Sequence, residues 1–355
     1  MSPKAVLILL IFATLLAYTP IRTASFVYED EVYLTPAQRP ITWGELTAPR
    51  GLTLLSFRLN YLVGGLEPRG YHAINLWLFL LVGLGVFAIA RRFLPPAFAL
   101  LATGLCWLYP IQTESVAYVT GRAELLAALG VVITTWACLQ VPFRWPFSLI
   151  AVGGMVVALG GKDLGVLALP LALWTRYQVA PWRWSSWRVL SVGLGLLVIF
   201  VGLLAWTAGA RLWGNAYLLT SQRQGLGYLA MQVVALLLML RLVVWPVGQT
   251  VDHDLEFITK AWGLSLLAGA VLVAVALWTG RARWPRVGWA LGWVAIAIAP
   301  RLFVPIAEYL NEHQVFTPFL AVWIALAAGV QAVSARVWPV EPFCADSAAP
   351  SASVS

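Results

Sequence analysis

Three consecutive carboxylates, Glu29, Asp30 and Glu31, follow the first apolar run of the chain. Only 15 acidic residues occur among the 355, and ionisable groups kept beside hydrocarbon are costly enough that they commonly mark a pathway or a reaction site. A carboxylate here could take a proton from an acceptor hydroxyl, or bind a divalent ion that holds a phosphate. The plainer reading is a solvated cap that ends the first helix. Further polar residues expected on the same side of a membrane favour chemistry: Glu114, Arg122 and Glu124, Lys162 with Asp163, Asp252 to Asp254, and Glu308 with Glu312.

Arginine is suited to bidentate binding of phosphate. Arg50, Arg58, Arg122 and Arg223 fall on the side that the positive-inside bias leaves poor in basic residues, and a lipid phosphate would give them a partner there. Arg122 and Glu124 stand two apart and do not face each other on a helix, which favours an external partner for Arg122. Asp252-His253-Asp254 offers ligand types that suit divalent ions. On an extended chain, however, alternation turns His253 away from both Asp side chains, so a pocket-lining loop is the stronger reading. His72 and His313 each stand at the start of an apolar run, where helix capping competes with substrate contact. Arg301, Glu308 and Glu312 beside His313 favour a role for that residue. No Walker loop, dinucleotide fingerprint, nucleophile elbow or zinc pattern is present.

These groups must be positioned by a membrane protein. The chain is 61% hydrophobic and 11% charged, with a mean hydropathy of +0.83, whereas a soluble domain carries roughly 25% charged residues. Long unbroken apolar runs indicate helices rather than an alternating barrel. Nineteen Trp and 11 Tyr suit interfacial belts. The net charge of +8 resides in short connectors and is no nucleic-acid signal. Cys106, Cys138 and Cys344 lack metal or redox spacing, and no disulfide framework is expected.

The run 5–19 reads as an uncleaved signal anchor entering from Lys4. The first outer loop, 22–70, contains an amphipathic helix over 51–62 with Leu52, Leu55, Leu59 and Leu62 on one face, lying in the interface. Spans follow over 72–90, which ends at Arg91-Arg92, and over 97–108 and 125–141. The stretch 147–174 carries Lys162-Asp163 in its middle and reads as two short helices meeting there, which keeps Arg176, Arg183 and Arg188 inside. A helix is expected over 189–208, and 226–247 reads as re-entrant or interfacial because of Arg241 and Pro246. Helices over 262–279, 287–303 and 316–333 complete the set. The expected fold is all-α and polytopic, with about 10 transmembrane helices plus interfacial or re-entrant ones. One membrane domain occupies 1–338, and a short disordered cytoplasmic tail occupies 339–355. In this topology every acidic cluster shares the outer face.

Several segments together resemble one family. Phe26-Val-Tyr-Glu-Asp30, Phe57-Arg-Leu-Asn-Tyr61, Gly70-Tyr-His-Ala-Ile-Asn75 and the block from Pro110 to Leu126 are similar to the membrane part of the transmembrane O-mannosyltransferases that carry tetratricopeptide repeats, whose bacterial relatives are GT-C type glycosyltransferases. Lys162-Asp163 with Pro170, Thr250 to Asp254, and Asn311 to Pro318 look like later blocks of the same family, in order over about 20–320. The resemblance implies a GT-C-like fold and sugar transfer from a polyprenyl-phosphate donor at the outer membrane face. Its acidic pair maps onto Glu29 and Asp30, with Glu31 the alternative register; the family's usual pair is two Asp, so Glu29 is a departure. A His common in the family is Tyr109 here, and another is Phe79. No repeat follows Arg336.

The resulting expectation is a glycosyltransferase of a bacterial inner membrane with its site on the periplasmic face. Mannose or a similar hexose would pass from the lipid phosphate to an acceptor hydroxyl on a protein or glycan. Asp30 or Glu29 would be the base, and Arg122, with Arg50 or Arg58, would neutralise the phosphate. Glu31, His72, Glu114, Glu124, Lys162, Asp252, Asp254, Glu312 and His313 would line the substrate site. No cofactor is required, a divalent cation (Mg or Mn) being optional, and a separate repeat-containing protein could replace the missing repeats. The competing expectations are a lipid-linked sugar flippase and a non-catalytic GT-C-like scaffold.

Overall fold

The computed structural model describes residues 1–27, 30–140, 145–179, 226–250, 285–303 and 312–337. All the regular elements among them are helices. Helix α1 (Pro3–Ala17) starts at Ser2, whose hydroxyl accepts from the Ala5 amide at 3.3 Å, with Pro3 at the first position, where its missing N–H is harmless. The loop that follows is itself folded into α2 (Asp30–Ala37), α3 (Trp43–Thr47) and α4 (Gly51–Gly64). Helix α5 (Pro68–Ala90) packs on the turn that follows α1, and α6 (Pro96–Leu108) lies beside both helices. Edge-on contact of the Tyr18 and Phe79 rings ties the end of α1 to α5, and Trp107 Nε1 donates to the Phe79 carbonyl at 3.2 Å.

After a short helix α7 (Thr113–Ala117), α8 (Arg122–Cys138) and α9 (Trp145–Gly161) form the tightest pair in the bundle. A Cβ added at Gly130 would lie 2.3 Å from the Ala158 amide, so the two backbones touch where no side chain fits between them. Thr134 Oγ1 reaches across to the Ala151 carbonyl at 3.3 Å. At Lys162 the chain turns through a 3-10 segment (Asp163–Leu167) into α10 (Ala168–Val179). The expected reversal at Lys162-Asp163 is therefore present. Helices α11 (Leu226–Val244), α12 (Pro285–Phe303) and α13 (Phe316–Val337) complete the described bundle.

Among the described residues, three segments are long and apolar enough to cross a membrane: Pro68–Ala90, Val119–Cys138 and Glu312–Ala335. Five shorter apolar helices accompany them. The expected helices over 189–208 and 262–279 lie outside the described residues. Helix α11 is continuous and sends Met231, Ala235, Met239 and Leu242 into the main core, so of the two expected readings, re-entrant or interfacial, no reversal occurs over Leu226–Val244.

The two ends of the bundle differ in charge. One carries Arg91, Arg92, which donates to Gln140 at 2.5 Å, and Arg286, which donates to Gln331 at 3.2 Å. The Phe93 and Trp289 rings, 5.0 Å apart, join these pairs into a single end. At the opposite end lie Asp30, Glu114, Glu124, Asp163 and Glu312. The acidic clusters that are described thus share one end, as expected.

Helix α4 is present as expected, and the leucines Leu59 and Leu62 are turned out of the bundle, the orientation of a helix that lies in the interface. Leu59, Leu62 and Val63 are 55%, 61% and 91% exposed, whereas Thr53, Phe57 and Asn60 are buried. The polar stripe points inward because the interior of this end contains hydrogen-bonding groups that need it, and the leucines are left facing outward.

Candidate functional site

Asp30 opens α2 and is 1% exposed. Its Oδ1 accepts from the Thr120 amide at 3.0 Å and from the Thr120 hydroxyl at 2.6 Å, and its Oδ2 accepts from the Val27 amide at 3.0 Å. These donors pin the start of α2 to the turn before α8. Glu31 is exposed on the next position. Glu29, the other half of the acidic pair, lies outside the described residues, as do Asp252, Asp254 and Arg223.

Arg122 overturns the expectation drawn from its spacing. Helix α8 begins one turn earlier than the apolar run suggested, so Arg122 sits in its first turn, 0% exposed. Its Nε donates to Asn75 Oδ1 at 2.8 Å, its Nη1 to Asn60 Oδ1 at 2.7 Å and Ser56 Oγ at 3.3 Å, and its Nη2 to the Tyr71 carbonyl at 2.9 Å. The rings of Phe57 and Tyr71 lie 4.5 and 5.5 Å from its guanidinium carbon. Sealed among neutral acceptors and two aromatic faces, this guanidinium locks α4, α5 and α8 together and has no opening toward a phosphate. Asn75 is oriented by the same lock, since its Nδ2 donates to the Tyr118 and Val119 carbonyls at 3.1 Å each.

Four of the other expected lining residues pair with one another. Lys162 donates to Glu124, the two being 8% and 5% exposed. Glu114 takes the His313 amide at 2.8 Å and its Nδ1 at 2.7 Å, joining α7 to the turn before α13. Glu312 accepts the Thr250 amide at 3.0 Å, and His72 Nε2 donates to the Ala24 carbonyl at 3.2 Å. These groups build the floor of the acidic end and occupy themselves with holding its segments. Among the described residues no three His, Cys, Asp or Glu side chains converge as a metal-ligating group.

Arg50, at the N-cap of α4, and Arg58, on that helix, are partly exposed and both reach toward α2. Arg50 donates to the Tyr33 hydroxyl and lies over that ring at 5.4 Å, and Arg58 donates to the Ala37 carbonyl at 3.2 Å. Among the described residues neither has a carboxylate within ion-pair distance. Arg50 also holds φ at 69°, the left-handed region that disfavours a side chain. In the same loop Glu45 completes a capping box with Thr42 and pairs with Arg39 at 2.5 Å. The Arg39 guanidinium and the Thr42 donors hold its carboxyl at about 2.

The residues that inference from sequence missed are the neutral ones: Ser56, Asn60, Asn75 and Thr120. Their signal is a polar stripe at helical spacing, Thr53, Ser56 and Asn60 on one helix and His72 with Asn75 on the next, in otherwise apolar stretches.

No family model matches the chain, and no solved structure matches it. Curated proteins do. Over 126 residues the chain is 36% identical to the protein O-mannosyl-transferase Tmtc1 of Drosophila melanogaster, covering 30% of this chain and 15% of that protein. It is 34% identical over 176 residues to Tmtc2 of the same organism, 41% of this chain and 19% of that protein. The human protein O-mannosyl-transferase TMTC3 is 33% identical over 111 residues, 31% of this chain and 12% of that protein. The chain therefore resembles the membrane O-mannosyl-transferases over part of its length, and the matched portion spans less than a fifth of each of these relatives.

Proposed function

We propose that the acidic end of the bundle transfers a hexose, mannose by the likeness to O-mannosyl-transferases, from a polyprenyl-phosphate donor to a hydroxyl on a protein or glycan acceptor. The observation that carries this reading is the pair of open guanidinium groups, Arg50 and Arg58, left without carboxylate partners among the described residues beside the helix that begins with Asp30. In the proposed step the acidic pair Glu29 and Asp30 takes the acceptor proton and the hydroxyl oxygen attacks the anomeric carbon. The bond from that carbon to the phosphate oxygen breaks, and the lipid phosphate leaves with its charge met by Arg50 and Arg58. Asp30 reaches an acceptor only when the Val27–Asp30 turn opens, so Asp30 doubles as the anchor of the acidic pair.

In this reading Arg122 is a positioning residue, and the acidic end faces the periplasm of a bacterial inner membrane, opposite the cytoplasm that receives the basic connectors. The bundle has about ten spans when the undescribed runs are included. A separate repeat-containing protein is the proposed acceptor-binding partner, and a divalent cation bound near Asp252 and Asp254 is an optional aid. A flippase is less well supported, because the buried pair Glu124 and Lys162 sits at one end of α8 rather than mid-span.

The test is turnover of radiolabelled polyprenyl-phosphate mannose, and of other sugars, by the full chain in nanodiscs. Arg50→Gln should weaken donor use about 10- to 100-fold through the loss of a charge-assisted bond to phosphate. Glu29→Gln with Asp30→Asn should abolish turnover. Transfer that survives the double substitution would sink the assignment.

A further inference from the structure

Away from the acidic end, α1 and α6 run side by side but do not close on each other. They meet at Leu10 and Gly104, where a Cβ on the glycine would stand 3.3 Å from the leucine methyl. Between them lies an open groove of roughly 760 Å³. Its walls are apolar along the whole length, with Val6 and Leu10 on one side and Ala97, Leu101 and Leu108 on the other. Helix α6 has 13 residues, so at 1.5 Å per residue the groove is about 20 Å long, the reach of an extended acyl chain through one leaflet.

The two mouths differ. Toward the acidic end the groove finishes at Tyr109, whose hydroxyl is committed to the Val243 carbonyl. The opposite mouth lies at Pro3 and Pro95, and the exposed cations Lys4 and Arg91 stand one residue after the first and four before the second. Lys4 stands in the first turn of α1. Arg91 stands at the end of α5 and donates to the Leu94 carbonyl at 3.1 Å, which holds its side chain over the turn into α6. Neither meets a carboxylate among the described residues.

We propose that this groove is a binding site for one anionic phospholipid, with an acyl chain laid between α1 and α6 and the phosphate between Lys4 and Arg91. Charge complementarity selects this occupant: basic pockets between membrane helices attract anionic headgroups, while the apolar walls accept any chain. The sugar donor proposed above is a poor fit, since its phosphate belongs at the other end, where this groove offers only a committed tyrosine. The site is independent of that function.

The test is native mass spectrometry of the full chain, delipidated and then exposed to phosphatidylglycerol or phosphatidylcholine. Wild type should retain about one lipid and prefer phosphatidylglycerol, by roughly five-fold for each of the two cations. Lys4→Gln with Arg91→Gln should erase the preference and leave neutral-lipid retention unchanged. Ala97→Trp, at an exposed position on the wall, should fill the groove and reduce retention of both lipids. Leu101→Trp provides a second filling variant if the first lowers the melting temperature. Equal retention of the two lipids by wild type would overturn the headgroup assignment. Undiminished retention in both filled variants, or displacement of phosphatidylglycerol by a polyprenyl phosphate that the filled variants no longer bind, would overturn the site.

Discussion

Replacing Arg122 separates a structural guanidinium from a substrate-binding one. Arg122→Met leaves Asn75 Oδ1, Asn60 Oδ1 and the Tyr71 carbonyl without the donors they now have, all inside the protein. An orphaned buried acceptor costs about 1–3 kcal/mol; the Tyr71 carbonyl stays in the backbone ladder of α5, so the two amide oxygens together cost about 2–6. Two aromatic faces also lose their cation, at about 1–2 kcal/mol each where desolvated. Against this, burying a cation costs several kcal/mol that methionine does not incur. The net expectation is a loss of about 3–5 kcal/mol. Arg122→Lys keeps the charge but not the planar fork and should lose roughly half as much. The assay is unfolding of the purified chain in detergent, followed by tryptophan fluorescence and by proteolysis of the loop between α1 and α5. A cycle with Asn60→Leu should show coupling above about 1 kcal/mol, because the two side chains share a bond. A methionine variant as stable as wild type but unable to bind donor would refute this account and return the guanidinium to the substrate.

Removing one member of the Glu124–Lys162 pair, by Glu124→Gln or Lys162→Met, should cost about 3–5 kcal/mol in the same assay, and Glu124→Leu combined with Lys162→Met should recover most of it. Thr120→Val deletes the hydroxyl that holds Asp30 Oδ1 at 2.6 Å, and hydrogen exchange of the α2 amides should rise by about ten-fold or more. Glu45 has a folded-state value of about 2, depressed from 4.5, so its contribution to holding α3 is fully present above 4.5 and is lost as pH falls through about 2. Limited proteolysis between Trp43 and Thr47 should therefore be slow at pH 6 and accelerate below pH 4; cleavage independent of pH across that window would show that the Arg39 and Thr42 contacts do not hold the helix.

What was legible in the sequence was whatever depended on local pattern. Helices over 68–90, 96–108, 285–303 and 316–337 match their apolar runs to within a few residues, and the charge at Lys162-Asp163 correctly marked a reversal. What was hidden depended on pairing. Glu114 and His313 stand 199 positions apart, and nothing in either neighbourhood announces the other. Arg122 was misassigned because spacing excluded one partner, Glu124, while its real partners were neutral amides on α4 and α5. The orientation of α4, by contrast, follows its pattern: Leu59 and Leu62 turn outward, as an interfacial helix requires, and the polar stripe of Thr53 and Asn60 turns inward.

The Arg122 socket also bears on how the chain can be made. Every group that receives this guanidinium, from Ser56 through Asn60 and Tyr71 to Asn75, precedes it in the sequence. A chain synthesised from its N-terminus therefore exposes the acceptors before α8 arrives, and the arginine can dock as it enters the bilayer. Presented earlier, the same residue would have to enter without its acceptors, at a cost that for an arginine near a span end stays below the about 2.5–3.5 kcal/mol of translocon scales at mid-span. The order of residues along the gene thus serves as an assembly sequence. A circular permutant beginning at α8 would have every contact of the finished protein and still be expected to insert poorly.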